Sequence, residues 1–423
     1  MTKNPLHRLA LDLRVGWFLG MRQLRRSSRV MSVLIVFIMT LTFLNLVVVT
    51  GVLVGLPTGA NEAYRLRYAG DVLVSAPEDK RFIEQSRALR SELVSLPEVL
   101  AISPRYVGVA RAEANYKEVL EGDELRDQIN VQVAGINPAD EHAVTNFADL
   151  VTEGEFLAPD DGEGILISSE LLSEQTAGTP LTDTTLDNVT IGSRLLVTIG
   201  ENQREFTVRG IFHTKAQIVN QRILMLDSRA REMLGRFDSN VNEIAVRLLP
   251  GTDALRMKRT VQSLNSAGGA QVETSAEALG PFLTDIQQTM QILGNGIGSI
   301  ALIVAAIAIF IVIFINAITR RRHIGILKGL GIGGFAIEFA YMVQALVYVL
   351  VGASLGLLVI YQVLVPYFLT NPIDFPISDG ILVAPLPETL FRMALLIVTT
   401  IIAGYIPAKL IVRQNTLDAI LGR

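Results

Sequence analysis

The sequence predicts a polytopic α-helical membrane protein with four transmembrane helices plus a large α+β extracytoplasmic domain inserted between helices 1 and 2. Three observations predict it. Half of the 423 residues are hydrophobic, and they gather into long uncharged runs. Lysine and arginine collect on one side of those runs as the chain passes back and forth. Between the first two runs, residues 58–290 are rich in charge and switch repeatedly between strand-like and helix-like patterns.

Residues 1–29 form a cytoplasmic amphipathic N-terminal segment. Leu6, Leu9, Leu13, Trp17 and Leu24 recur at helical spacing, with Arg8, Arg14, Arg22 and Arg25 between them. A Trp and a basic face suit a helix lying in the headgroup region. Val30–Gly59 then carries no charge, and residues 30–57 are helix 1. Roughly 20 apolar residues cross a bilayer core as a helix. A cleaved signal peptide has an apolar region of only roughly 7–15 residues, so this longer run reads as a retained anchor. Helix 2 is 291–319, inside the uncharged stretch Ile286–Thr319, and helix 3 is 339–366, inside Phe339–Ile373. Helix 4 is 388–408, where Met393–Ala408 reaches spanning length with the help of Pro387–Phe391. Residues 320–338 are a cytoplasmic loop, 367–387 a short extracytoplasmic loop and 409–423 a cytoplasmic tail.

Basic residues set this orientation. Seven Lys and Arg stand in 1–29 against a lone Asp12. Arg320, Arg321, Arg322 and Lys328 follow helix 2, and Lys409, Arg413 and Arg423 follow helix 4. Pro366–Glu388 has neither Lys nor Arg. Four crossings put every basic segment on one side, so both termini are cytoplasmic. The polar residues inside the runs, such as Asn45, Asn316 and Gln344, are uncharged, which disfavours an ion or proton relay through the bilayer.

The inserted domain is acidic. From Thr58 to Asp285 there are 22 Lys and Arg against 35 Asp and Glu, a net charge of −13 in a chain whose total is −4. There is no cysteine, so no disulfide staples it. Strands are expected at 70–76, 130–138, 222–226 and 242–248, with a hairpin of 195–199 and 205–211 turning at Gly200–Gln203. Helices are expected at 80–96, from Asp227 as a cap through Leu234, and from Thr252 or Asp253 as a cap through Leu264. Strands interleaved with helices give an α+β domain in one or two lobes. Residues 153–184, rich in Gly, Pro, Asp and Thr, read as a loop. At the exit, Leu279, Phe282, Ile286, Met290, Leu293 and Ile297 follow a 3-4-4-3-4 spacing. That seam predicts a stalk in which helix 2 continues outward and packs on a partner helix.

Several chemistries are missing. No G-x-x-x-x-G-K-[ST] occurs, so no Walker A ATPase is present in the chain. The four histidines form no H-E-x-x-H or paired-ligand spacing, and no metal site or catalytic residue is assigned. Gly329-x-Gly331-x-x-Gly334 matches a dinucleotide fingerprint, but that motif needs a strand before it and an acidic residue about 20 positions on. Here an apolar run precedes it and another follows. The glycines instead turn the chain. Ile324, Leu327 and Leu330, at i, i+3 and i+6, form a short apolar stripe on a cytoplasmic helix, and such a stripe calls for a partner surface.

Thr319–Val359 resembles the signature of the FtsX-like/MacB-like ABC transporter permease family, of lipoprotein-release or macrolide-export type. The matching positions are Arg322, Ile324, Gly325, Lys328 and Gly331. Gly404–Ile420 resembles the family's closing motif at Gly404, Pro407, Ala408 and Ala419, with Thr416 where Pro is usual. "VQVAGINP" and "FTVRGIF" resemble the family's periplasmic core. His323 departs from the pattern, standing where the family commonly has Glu.

The resemblance implies a multi-pass permease subunit of the cell inner (plasma) membrane that is not itself an enzyme. It implies no cofactor in this chain, with ATP and Mg held by a cytoplasmic ABC ATPase subunit. Arg322, His323, Ile324, Gly325, Leu327, Lys328 and Gly331 would be the ATPase-coupling element. A second permease copy or homologue would complete a dimer, membrane lipid would surround it, and a periplasmic or outer protein is a further partner; nucleic acid is not. Movement of the extracytoplasmic domain would export or extract lipoproteins, lipids, peptides or amphiphilic drugs. The alternative is a signalling permease that activates an extracellular cell-wall hydrolase without transport.

Overall fold

The computed structural model describes residues 5–116, 126–173, 185–371, 373, 375, 378 and 382–413. The chain divides into two compact units. One comprises Met1–Leu56, Gln287–Ile373 and Gly380–Arg423; the other comprises Pro57–Ile286 and Asp374–Asp379.

The second unit is built on one mixed sheet. Its strands are β1 (Val72–Ser75), β2 (Val99–Glu113), β3 (Gln128–Ile136), β4 (Val151–Gly154), β5 (Gly164–Ser168), β6 (Arg194–Ile199), β7 (Asn202–Phe212), β8 (Arg222–Leu226), β9 (Glu243–Leu248) and β10 (Gln271–Thr274). Their order is β10-β1-β9-β2-β3-β8-β5-β7-β4, with β6 pairing β2 and β7. Alternation along each strand separates two apolar faces. Val72 and Val74 of β1 enter one core, with Ile223 and Met225 of β8. Leu73 enters the other, with Leu224 and Leu226. Strand β2 joins the two halves of the sheet. Val99 to Arg105 pair with β9, and Tyr106 to Glu113 pair with β3.

Helices α3 (Ser86–Ser95) and α4 (Pro138–Thr145) pack on β2, α5 (Asp227–Met233) follows β8, and α6 (Ala254–Gln262) follows β9. Asn137 caps α4, accepting from the amides of Ala139 and Asp140, and Pro138 sits in the first turn where its missing N–H costs nothing. Asp253 caps α6 as expected. Asp227 does not cap α5; it is the first helical residue, and Leu226 holds the cap position without a side-chain bond. The hairpin closes with two residues, Gly200–Glu201, because Gly200 adopts φ +59°. The expected loop 153–184 contains β5 in the middle of the sheet, buried at all five positions. Its residues 174–184 lie outside the described residues.

The first unit is helical. It contains α1 (Pro5–Arg25), most of α2 (Arg29–Tyr64) and of α7 (Gly280–Thr319), then α8 (Arg321–Gly329), α9 (Gly334–Val359) and α10 (Leu386–Val412). Helix α9 runs on through a π turn, Ile360–Leu364, into Val365–Thr370, where Pro366 would otherwise meet the carbonyl a turn before it. Four helical stretches, Arg29–Ala69, Asp285–Thr319, Gly334–Thr370 and Leu386–Val412, are long and apolar enough to cross a membrane.

These helices meet through glycines. A Cβ on Gly16 or Gly20 of α1 would lie 2.6 or 2.7 Å from the carbonyl oxygens of Ala336 or Ala340 on α9. Gly352 and Gly356 of α9 press on Met39 and Phe43 of α2, and Gly294 and Gly298 of α7 press on Thr50 and Leu46. All three pairs are spaced G-x-x-x-G, the pattern that lets backbones approach where apolar burial offers little net gain. One charged group joins them. Arg392 on α10 donates to the Leu46 carbonyl at 3.1 Å and to Thr50 Oγ1 at 2.8 Å. Arg392, which immediately precedes the uncharged run Met393–Ala408, therefore serves helix packing.

Candidate functional site

The element predicted to couple to a partner is a discrete helix, α8. Arg320 is its N-cap, and the chain leaves it through a Schellman turn. The Gly331 amide donates to the Lys328 carbonyl at 2.9 Å and the Ile332 amide to the Leu327 carbonyl at 3.1 Å. Gly331 stands at φ +88°, a conformation that favours glycine. The next turn opens α9 at Gly333, where the Asp12 carboxylate of α1 lies 3.0 Å from where a Cβ would sit. A negative charge beside the first amides of a helix is favourable.

Of the predicted stripe only Leu330 faces outward. Ile324 is only 3% exposed and belongs to the helical core, with Leu327 packed against it. Gly325 is buried beside it. Lys328 is not a free cation: its Nζ donates to the Val412 carbonyl at 2.8 Å, closing the C-terminus of α10. The outward face is Arg322, His323, Ile326 and Leu330, with Ile326 47% and Leu330 75% exposed. Arg322, Ile326 and Leu330 are spaced i, i+4, i+8 and share one side of the helix and its exit. Two of the apolar residues that seemed to need a partner, Ile324 and Leu327, are covered within the helical core, which includes Ile337 of α9 and Val412 of α10.

The stalk residues do not form one seam. Gly280, at φ +80°, interrupts the helix between Leu279 and Phe282, so the three-residue step is not a helical one. Leu279 packs into the core around Tyr64 and Tyr68. The side chain of Phe282 lies outside the described residues. Ile286 and Met290 are half-buried, while Leu293 is exposed and its neighbour Gly294 is the buried contact. The C-terminal motif is a packing point. Gly404, Pro407 and Ala408 are buried, and a Cβ on Gly404 would lie 3.0 Å from Ala345 of α9 and 3.8 Å from Ile309 of α7. Thr416 and Ala419 lie outside the described residues.

Sequence reasoning missed a buried ionic cluster in the α/β unit. Glu141 on α4 accepts from Arg105 Nε and Nη2, both at 2.8 Å, from Ser103 Oγ at 2.6 Å and from Thr145 Oγ1 at 2.9 Å. Tyr68 lies between two guanidiniums, with Arg105 4.8 Å and Arg222 4.7 Å from its ring centre, and donates to Glu243 at 2.7 Å. Burial pushes the Glu243 carboxyl up, but the charges of Arg222 and Arg105 outweigh it and hold the group below its ordinary value. Burial and Glu243 together push the Tyr68 hydroxyl up, so it stays a donor. Tyr68 lies in the π turn Arg65–Ala69 that ends α2, so the cluster ties that turn to β2, α4, β8 and β9.

Comparison with known proteins places these features. Residues 295–416 match the FtsX-like permease C-terminal family, which covers α8, α9, α10 and most of α7. "Macrolide export ATP-binding/permease protein MacB 1" of Yersinia pseudotuberculosis (strain IP32953) and "MacB 2" of Yersinia pestis (strain Nepal516) are each 28% identical over 137 residues. Those matches cover 31% of this chain and 20% of each relative, so the chain aligns with a minor part of their length. Among solved structures, the periplasmic region of MacB from Actinobacillus actinomycetemcomitans is 10% identical with a TM-score of 0.35, covering 50% of this chain and 92% of its own. The extracellular domain of the noncanonic ABC-type transporter YknZ from Gram-positive bacteria is 15% identical with a TM-score of 0.30, covering 48% and 98%. Over residues 295–416 the chain thus matches the FtsX-like permease C-terminal family, and over 137 residues it is similar to MacB sequences.

Proposed function

We propose that this chain is the permease subunit of an ABC transporter in which a separate cytoplasmic ATPase drives movement of the α/β domain. The observation that carries this reading is the two-sided construction of α8. Its inner face, Ile324, Gly325 and Leu327, is set in the helical core, and Lys328 ties it to the end of α10. Its outer face offers two exposed aliphatic side chains beside Arg322 and His323. A helix built this way passes a push on its outer face to α9 and α10. The outer face would seat in the ATPase with Ile326 and Leu330 as anchors, while Arg322 and His323 meet acidic or neutral groups. Both termini would be cytoplasmic and the α/β domain extracytoplasmic. A second copy or homologue would complete the transporter, and the cargo would be a lipoprotein, lipid, peptide or amphiphilic drug.

The test is copurification with the co-expressed ATPase. Burying each aliphatic anchor is worth about 1.5–3 kcal/mol, so Ile326→Asp with Leu330→Asp should weaken ATPase capture by about a hundredfold or more. Lys328→Met should leave capture intact while ATP hydrolysis ceases to depend on cargo. Unchanged capture by the double Asp variant would remove α8 as the docking element.

A further inference from the structure

A cavity of about 450 Å³ opens between α1, α8 and α9. Its polar wall is made by Arg22 and Arg26 of α1, Arg320 and His323 at α8, Gln23, and Tyr341 of α9; Leu19, Ile324, Ile326 and Leu327 complete it. No acidic residue lines it among the described residues. Among the described residues, Arg22, Arg26 and Arg320 enter no ion pair. Gln23 uses its oxygen to accept from Gln344 at 2.5 Å, which leaves its amide N–H groups to donate. Tyr341 is 1% exposed, and its hydroxyl is buried without a hydrogen-bond partner. A buried hydroxyl left unpaired carries a cost of about 1–3 kcal/mol, and here it belongs to a wall of unpaired cations. The site is built to receive an acceptor-rich anion.

Position selects which anion. Arg29 opens α2 and Arg320 closes α7, so the cavity stands where two apolar helices end, at headgroup depth. The α1 helix beside it exposes Leu9, Leu11, Trp17 and Phe18, the amphipathic character of a helix set into a leaflet. Cationic walls with an apolar flank suit a phosphate attached to acyl chains, and basic pockets between helices on this side of a membrane hold such headgroups. We propose that this cavity binds the phosphodiester headgroup of an anionic phospholipid, wedging α1 against the coupling helix. The proposal goes beyond the transport reading and rests on it only for the orientation of the helices in the membrane.

Native mass spectrometry of the full chain in mild detergent, offered phosphatidylglycerol and phosphatidylcholine in equal amounts, tests it. The unaltered chain should retain phosphatidylglycerol in preference to phosphatidylcholine. Arg22→Gln with Arg320→Gln should lower that retention by about tenfold or more. Tyr341→Phe, which keeps the packing, should lower it by about threefold or more. Arg14→Gln, an exposed charge on α1 away from the cavity, should leave it unchanged. Equal retention of both lipids, or equal phosphatidylglycerol retention by Tyr341→Phe and the unaltered chain, would overturn the proposal. So would inorganic phosphate binding as tightly as the lipid, or loss of ATPase capture in the double variant with lipid retention unaltered, which would assign the cavity to a free anion or to a protein carboxylate.

Discussion

Replacing Glu141 with Gln tests how the α/β unit is held together. Glu141 is 3% exposed and Arg105 2%. The side chain keeps its size, so packing is preserved, but the carboxylate that accepts both arms of the Arg105 fork becomes an amide with one acceptor. Arg105 is then left with the Tyr68 carbonyl at 2.7 Å and with Glu243, whose oxygen lies 3.9 Å from Nη1. Leaving a buried cation without its close partner costs about 3–5 kcal/mol. Summing the four bonds to Glu141 at about 1.5–3 kcal/mol each would exceed that, because water replaces them in the unfolded chain. Hydrogen exchange on the full chain in detergent reads the effect. Protection of the slowest amides in β2 and β9 should fall by about two to three and a half orders of magnitude, while amides of α9 keep theirs. The companion variant Arg105→Met with Glu141→Leu should recover most of the loss, since an apolar pair of similar volume carries no desolvation cost. Its recovery stays incomplete because the Tyr68 carbonyl and Ser103 hydroxyl lose partners. A loss below about 1 kcal/mol for Glu141→Gln, or a double variant worse than both single ones, would refute the reasoning.

Acid should act on the same cluster through Glu243. Its folded value lies below the ordinary 4.5, so the stabilisation it contributes is present above about pH 4.5 and is lost as pH falls through the depressed folded value; a pH series of thermal melts should be flatter below pH 4.5 in Glu243→Gln than in the unaltered chain. The glycine contacts give an internally controlled pair in the helical unit. Gly352→Ala places a Cβ 2.6 Å from that of Met39 and 3.1 Å from the Thr40 nitrogen and Val36 carbonyl oxygen, so α2 and α9 must separate, at about 1–3 kcal/mol. Gly296→Ala meets open space within α7 and should be neutral or stabilising by up to about 1 kcal/mol. Melting temperatures in detergent check the contrast, and an equal response at both positions would remove glycine-mediated contact as the reason.

What was legible in the chain was whatever repeats locally. Arg222–Leu226 is a strand at the predicted residues, Asp253 caps the predicted helix, and the four apolar helices lie where charge is scarce. Strand β5 was missed because five residues between turn-formers are too few to display alternation, and burial on both faces removes the polar half of the pattern. Strand β2 was missed because Pro104 interrupts it, although Pro104 stands opposite Ile244 in the ladder. The Arg105–Glu141 pair had no local signal, since 36 positions separate the two. Gly16 and Gly20 did carry one, the G-x-x-x-G spacing, which tells of close approach without naming the neighbour.

Helix α8 shows why two of its three stripe residues were assigned to the wrong face. Periodicity identifies an apolar stripe but is silent on what covers it, and a nine-residue helix flanked by arginines has two faces of nearly equal claim. One deciding partner is remote in sequence, Val412, whose carbonyl engages Lys328; the other is the start of α9, brought back by Gly331. Once those two partners take Ile324 and Leu327, the exposed remainder is Arg322, His323, Ile326 and Leu330. His323 then ceases to be an isolated departure from a family pattern. It stands at the edge shared by the outward face and the basic cavity, where a carboxylate would draw the neighbouring arginines into ion pairs and remove the site for an anion. A neutral or cationic ring at that position leaves the arginines available, so His323 is consistent with both roles assigned to the helix.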